Sequence, residues 1–111
     1  MQHPPDFSVT RRRANGAIVV VPVGEIDLAT VDQLQAEVDA AASEAKQVVL
    51  DLREVSFIDS AGLRLVVHSS RAFEADGGTL AVVRGPREVQ RVFDLVGLDG
   101  RVTMLDQPPD E

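Results

Sequence analysis

The chain has no cysteine, tryptophan or tyrosine among its 111 residues. Without cysteine there is no disulfide framework, no thiolate metal site and no cysteine nucleophile. That usage fits a reducing compartment, and the expected location is cytoplasmic. Also missing are a positively charged start leading into an apolar stretch and any run of about 18 apolar residues. The chain therefore reads as a soluble protein that neither spans a membrane nor is exported. Four phenylalanines are the only aromatics that could stack on bases, and a net charge of −7 repels a phosphate backbone. Neither nucleic acid nor a membrane is expected as a partner. Two isolated histidines, His3 and His68, make no transition-metal site. The glycine-rich phosphate loop of nucleotide hydrolases and a Gly-x-Ser-x-Gly turn are both missing. No metal, no cofactor and no enzymatic activity are expected.

What is present suits one folded domain with one core. Apolar residues make up 44% of the chain and charged residues 26%. The ends, "MQHPP" and "DQPPDE", are proline-rich and polar, so residues 1–5 and 106–111 are expected to fray around a domain at 6–105. The Arg11–Arg13 run sits in "FSVTRRR", whose alternation suggests an edge strand with a solvated face. Asn15-Gly16 suggests a hairpin turn into "AIVVVPV". "TVDQLQAEVDAAASEA" repeats its apolar positions at helical spacing, and Thr30 with Gln33 offers a capping box. "QVVLDL" and "TLAVV" read as strands covered on both faces. After Ser60, a stripe of Leu63, Val66, Val67, Ser70 and Phe73 predicts a second helix with Arg64, His68 and Arg71 outside it. Pro86 opens a third helix, with Val89, Val92 and Phe93 inward, and "RVTML" closes the chain as a short strand. This alternation predicts an α/β fold: a single layer of mixed sheet, about five strands, covered by three or more α-helices.

The informative stretch is "VSFIDSAGLRLVV", Val55 to Val67. An apolar strand stops at Asp59-Ser60, and Ala61-Gly62 leads into the second helix. A helix start leaves backbone N–H groups without partners and favours negative charge. Asp59 and Ser60 are both good N-caps, so the pair has a purely structural explanation. Gly62 is costly for a first helical turn, by about 1 kcal/mol relative to alanine. Its bare backbone is expected to leave the surface beside Ser60 open to a partner. A second stretch, "GEIDLAT", falls where the second strand gives way to the first helix. Parallel strands ending at one sheet edge would bring Asp27 beside the Asp59-Ser60 turn. Asp27 as a plain turn or capping residue is the competing explanation.

Together, "VVLDLREVSFIDSAGLRLVV", "GEID" and "RGPREVQRVFDLVGLDGRVTML" resemble the STAS domain, and specifically its small bacterial anti-sigma factor antagonists. The likeness covers residues 6–105. It implies a partner switch. The unphosphorylated protein would bind an anti-sigma factor with serine kinase activity and so release a sigma factor. The kinase would end the association by phosphorylating a serine, and a separate serine phosphatase would reset it. Position by position, the resemblance makes Ser60 the phosphoacceptor, Asp59 its neighbour and Asp27 the acidic residue of the contact surface. Ala61 stands where a second hydroxyl is common in the family, which leaves one acceptor in the turn. Partner contact is expected at Asp27, Asp59, Ser60, Ala61 and Gly62, with Arg64 and His68 on the outer helix face, and the free chain is expected to be a monomer. Two other roles compete: a STAS component of a lipid transporter or stress-signalling scaffold, and an enzyme using Ser60 as nucleophile.

Overall fold

A computed structural model describes residues 6–111, so the expected fraying of 1–5, and His3 with it, lies outside the described residues. Six strands and three α-helices follow in the order β1 (Ser8–Ala14), β2 (Ala17–Ile26), α1 (Val31–Glu44), β3 (Gln47–Asp51), β4 (Val55–Ile58), α2 (Ser60–Ala75), β5 (Thr79–Val83), α3 (Arg87–Leu95) and β6 (Thr103–Leu105). β1 and β2 form an antiparallel hairpin through Asn15-Gly16, and the other pairings are parallel. The sheet runs β1-β2-β3-β5-β6, with β4 paired to β2 alone. The α/β mixed sheet is as the sequence predicts.

One strand more than expected arises because "VVLDLREVSFI" is broken rather than continuous. The Leu52–Val55 turn, closed by Val55 N–H on the Leu52 carbonyl, lifts the chain off β3. β4 then pairs with the far half of β2, whose near half pairs with β3. The switch happens at Gly24, where the register shifts. Gly24 has φ +113°, and a Cβ there would lie 2.8 Å from the Asp6 carbonyl oxygen, so only glycine suits the bend.

Alternation along the strands sends apolar side chains to both faces of the sheet. On one face Ile18, Val20, Val48, Leu50 and Val82 pack with Leu34 and Val38 of α1, Leu63, Val66 and Phe73 of α2, and Val89 and Phe93 of α3. The opposite cluster, Ala14, Ala17, Val19, Val49 and Val83, contains no helical residue. The segment after β6 covers it. Pro108 is buried, Asn15 donates to the Pro109 carbonyl, Arg12 binds Asp110 through two 2.9 Å bonds, and Arg53 binds Glu111 through two 2.8 Å bonds. Four strand spacings from β6 to β1 measure roughly 19 Å. The segment does not run straight across: the Glu111 N–H closes a turn on the Pro108 carbonyl at 3.1 Å, and the long side chains of Arg12 and Arg53 reach out to meet it. Residues 106–111, expected to fray, thus lie docked as a strap. The prolines that suggested disorder suit a turn-ended segment that has no strand partner.

The Arg11–Arg13 run is also more than a solvated face. Arg11 reaches Glu37 and Glu44, and Arg13 reaches Glu44, on the helical side. Arg12 points the other way, to Asp110. Alternate arginines therefore tie the edge strand to the layers above and below it.

Candidate functional site

β2 and β4 run parallel with Ile26 beside Ile58, so the chain leaves both strands at the same edge of the sheet. The Asp59 N–H donates to the Ile26 carbonyl at 3.1 Å, which extends the pairing by one residue. Asp27 and the Asp59-Ser60 turn are thereby neighbours, as the sequence predicts.

The first turn of α2 is organised by Asp59. Its Oδ1 accepts from Ala61 N–H at 2.9 Å and from Gly62 N–H at 3.4 Å, while its carbonyl takes the Leu63 N–H. Asp59 is thus the N-cap, and Ser60 is the first helical residue, exposed to solvent. Because Asp59 holds these donors, a group attached to Ser60 does not meet a set of vacant helical N–H groups.

Gly62 is buried, which corrects the expectation that it opens the surface to a partner. A Cβ at this position would lie 2.6 Å from Ile58 Cγ1 and 2.8 Å from Ile26 Cγ2. The glycine seats the helix start directly on the ends of β2 and β4. Its contribution to the surface is indirect: it fixes where Ser60 sits. Arg64 and His68 are exposed, and Ala61 is partly exposed.

The Asp27 loop is held by its own side chains. Asp27 Oδ1 accepts from Ala29 N–H at 2.9 Å, and its carbonyl takes the N–H groups of Thr30 and Val31. Thr30 does not form the predicted capping box: its side chain makes no cap hydrogen bond. Its buried hydroxyl turns back into the loop, donating to the Glu25 carbonyl at 2.8 Å and accepting from Asp27 N–H at 2.9 Å. Asp27 therefore has a structural task, with one carboxylate oxygen occupied and its side chain still partly exposed.

Sequence reasoning missed two apolar residues around this edge. Leu28, next to Asp27, is 80% exposed, and Phe57, opposite Glu25 on β4, is 47% exposed. Leu28 lies in a turn outside any helical or strand period, the one sequence signal that could have marked it. For Phe57 there is no such signal, since the apolar run "VSFI" gives no hint that β4 is an edge strand.

Among the described residues, no group of three or more histidine, aspartate or glutamate side chains is placed to hold a metal, and no helix is long and apolar enough to cross a membrane. His68, eight residues after Ser60, is about 12 Å farther along α2, too far to act as its base.

Comparison with known proteins agrees with this geometry. The family model for the STAS domain matches residues 8–108. The anti-sigma F factor antagonist of Paenibacillus polymyxa is 31% identical over 95 residues, 84% of this chain and 81% of that protein. The crystal structure of an anti-sigma factor antagonist from Mycobacterium paratuberculosis superposes with a TM-score of 0.83 at 29% identity, covering 98% of this chain and 94% of that one. The anti-sigma factor antagonist SpoIIAA in its unphosphorylated form shares the fold, with a TM-score of 0.74 at 23% identity over 90% of each chain. A family match over nearly the whole described length, joined to relatives at this identity, shows that the chain belongs to the STAS domain family.

Proposed function

We propose that this protein is a cytoplasmic anti-sigma factor antagonist. Unphosphorylated, it binds an anti-sigma factor with serine kinase activity and thereby releases a sigma factor; phosphorylation of Ser60 ends the association, and a serine phosphatase restores it. One observation carries the reading: Ser60 is exposed at the first residue of α2, at the edge where Asp27 and Asp59 meet. The named relatives, themselves anti-sigma factor antagonists, support it. Contact is assigned to Asp27, Asp59, Ser60 and Ala61, with Arg64 and His68 along the outer face of α2 and Leu28 and Phe57 as apolar flanks.

The switch follows from charge and desolvation. A phosphate adds roughly −1.5 to −2 charge at neutral pH. Beside the carboxylates of Asp59 and Asp27 it is tolerated while water screens the turn. Under a partner's surface it must be desolvated, and a buried charge in excess of any nearby cation costs several kcal/mol. A hundredfold loss of affinity needs only about 2.7 kcal/mol. The scaffold itself is undisturbed, because Ser60 lies outside the core.

Intact-mass measurement with the cognate kinase and ATP tests the assignment. One phosphate should be added to the native chain and none to Ser60→Ala. Continued incorporation into Ser60→Ala would move the acceptor elsewhere.

A further inference from the structure

Resting on the reading of Ser60 as phosphoacceptor, we infer that Arg64 is the internal counter-ion of the phosphorylated form. The phosphate on Ser60 draws the Arg64 guanidinium onto itself. Phosphorylation then withdraws a cation from the docking face at the same time as it adds negative charge.

Three observations lead to this pairing. First, the usual partners of an anion at a helix start are already engaged: Asp59 takes the N–H groups of Ala61, Gly62 and Leu63. Beyond the N–H of Ser60 itself, a phosphate there must look elsewhere for a donor. Second, Arg64 is four residues on, one helical turn away, where Cβ atoms stand about 5–6 Å apart. The anion on the N-terminal side of the cation is the more favourable order for such a pair. A guanidinium on a flexible stem spans that gap and grips two phosphate oxygens at once. Third, Arg64 is available. It is exposed and joins no ion pair among the described residues, whereas Arg11, Arg12, Arg13, Arg53 and Arg84 each hold a carboxylate.

The helix start is also fixed in place. Gly62 leaves no room for a side chain against Ile26 and Ile58, and Asp59 caps the turn, so the first turn is closely seated with its N–H groups engaged. Arg64 is the mobile partner, and it comes to the phosphate. In the unphosphorylated protein the same guanidinium remains free to meet a carboxylate of the partner.

The test uses the full chain with phosphoserine encoded at position 60 during translation, so that no kinase is involved. The second ionisation of the phosphate, ordinarily near pH 6, is followed by phosphorus NMR. A neighbouring cation favours the dianion and lowers this value. Arg64→Gln should therefore raise it by roughly half a pH unit, and Arg64→Lys, which keeps the charge without the fork, should fall between. Charged residues on the elements that meet at this edge are Glu25 of β2, Asp27 in the loop after it, Asp59 in the turn, Asp32 on α1 and His68 on α2. All are unchanged in the three proteins, so their influence cancels in the comparison. Identical titrations would overturn the pairing. Phosphopeptide mapping after reaction with the kinase separates this from the underlying reading. Phosphate found on another residue would defeat Ser60 as the natural acceptor, whereas Ser60 modified but titrating identically in all three proteins would defeat Arg64 alone.

Discussion

The proposed switch rests on a few atoms at one edge of the sheet. Ser60→Ala should retain partner binding, because the hydroxyl contributes little to association. Ser60→Glu should weaken binding, though less than phosphate does, since one carboxylate carries less charge. Isothermal titration with the partner kinase checks both, and full-strength binding by Ser60→Glu would remove support from the electrostatic account. The structural task of Asp27 and its proposed contact role can be separated by substitution. Asn at this position still accepts the Ala29 N–H through Oδ1, so Asp27→Asn should leave the melting temperature nearly unchanged while weakening association. Asp27→Ala loses the turn as well and should cost on the order of 1 kcal/mol of stability. A large drop in melting temperature for Asp27→Asn would return this residue to a purely structural role. The placement of both acids and Ser60 at one sheet edge was legible in the sequence because it follows from where strands end. The task of Gly62 was not. A missing side chain looks the same in sequence whether it opens a surface or admits close packing, and only the positions of Ile26 and Ile58 decide between them.

At the scale of elements, the seat of α2 on β2 and β4 determines where Ser60 is presented. Gly62→Ala gains helix propensity of up to about 1 kcal/mol. It also drives a methyl group into Ile58 and Ile26, where overpacking costs about 1–3 kcal/mol. The expected outcome is a net loss of stability, read by urea denaturation. Equal stability for Gly62→Ala and the native chain would show that the helix start is more loosely seated than the contacts imply. The helices were readable from sequence because their buried residues recur at regular spacing: Leu34, Val38 and Ala41 on α1, Val89 and Phe93 on α3. The break between β3 and β4 was hidden, because an apolar run looks continuous when the strand changes partners midway. Gly24 is what makes that change possible, and its role depends on a bend that no local period records.

For the whole molecule, the main unforeseen feature is the strap that closes the helix-free face of the sheet. Composition pointed the wrong way here, since proline and acidic residues at a chain end resemble a solvated tail. Their partners, Arg12, Asn15 and Arg53, lie far away in sequence. Removing residues 107–111 should uncover Val19, Val49 and Val83 and destabilise the fold by on the order of 2 kcal/mol, measurable by chemical denaturation. Acid should loosen the same contact. The hydrogen bond from Arg12 holds Asp110 below its ordinary value of 3.8, and that from Arg53 holds Glu111 below 4.5. A carboxylate with a lowered value stabilises the folded state fully above its ordinary value and loses that contribution as pH falls through the lowered one. Methyl resonances of Val49 and Val83 should therefore move toward those of the truncated protein as pH drops below about 4, ahead of global unfolding. The strap lies on the face away from the helices, so its loss should leave the Ser60 edge in place.

The most direct test of the account compares the affinity of the partner kinase for the unphosphorylated protein with its affinity for the protein carrying phosphoserine at position 60, alongside amide spectra of both forms. The account predicts a loss of at least about a hundredfold, with spectral changes confined to the Asp27 loop and the first turns of α2. Equal affinities, or a loss accompanied by rearrangement of the core resonances, would contradict it.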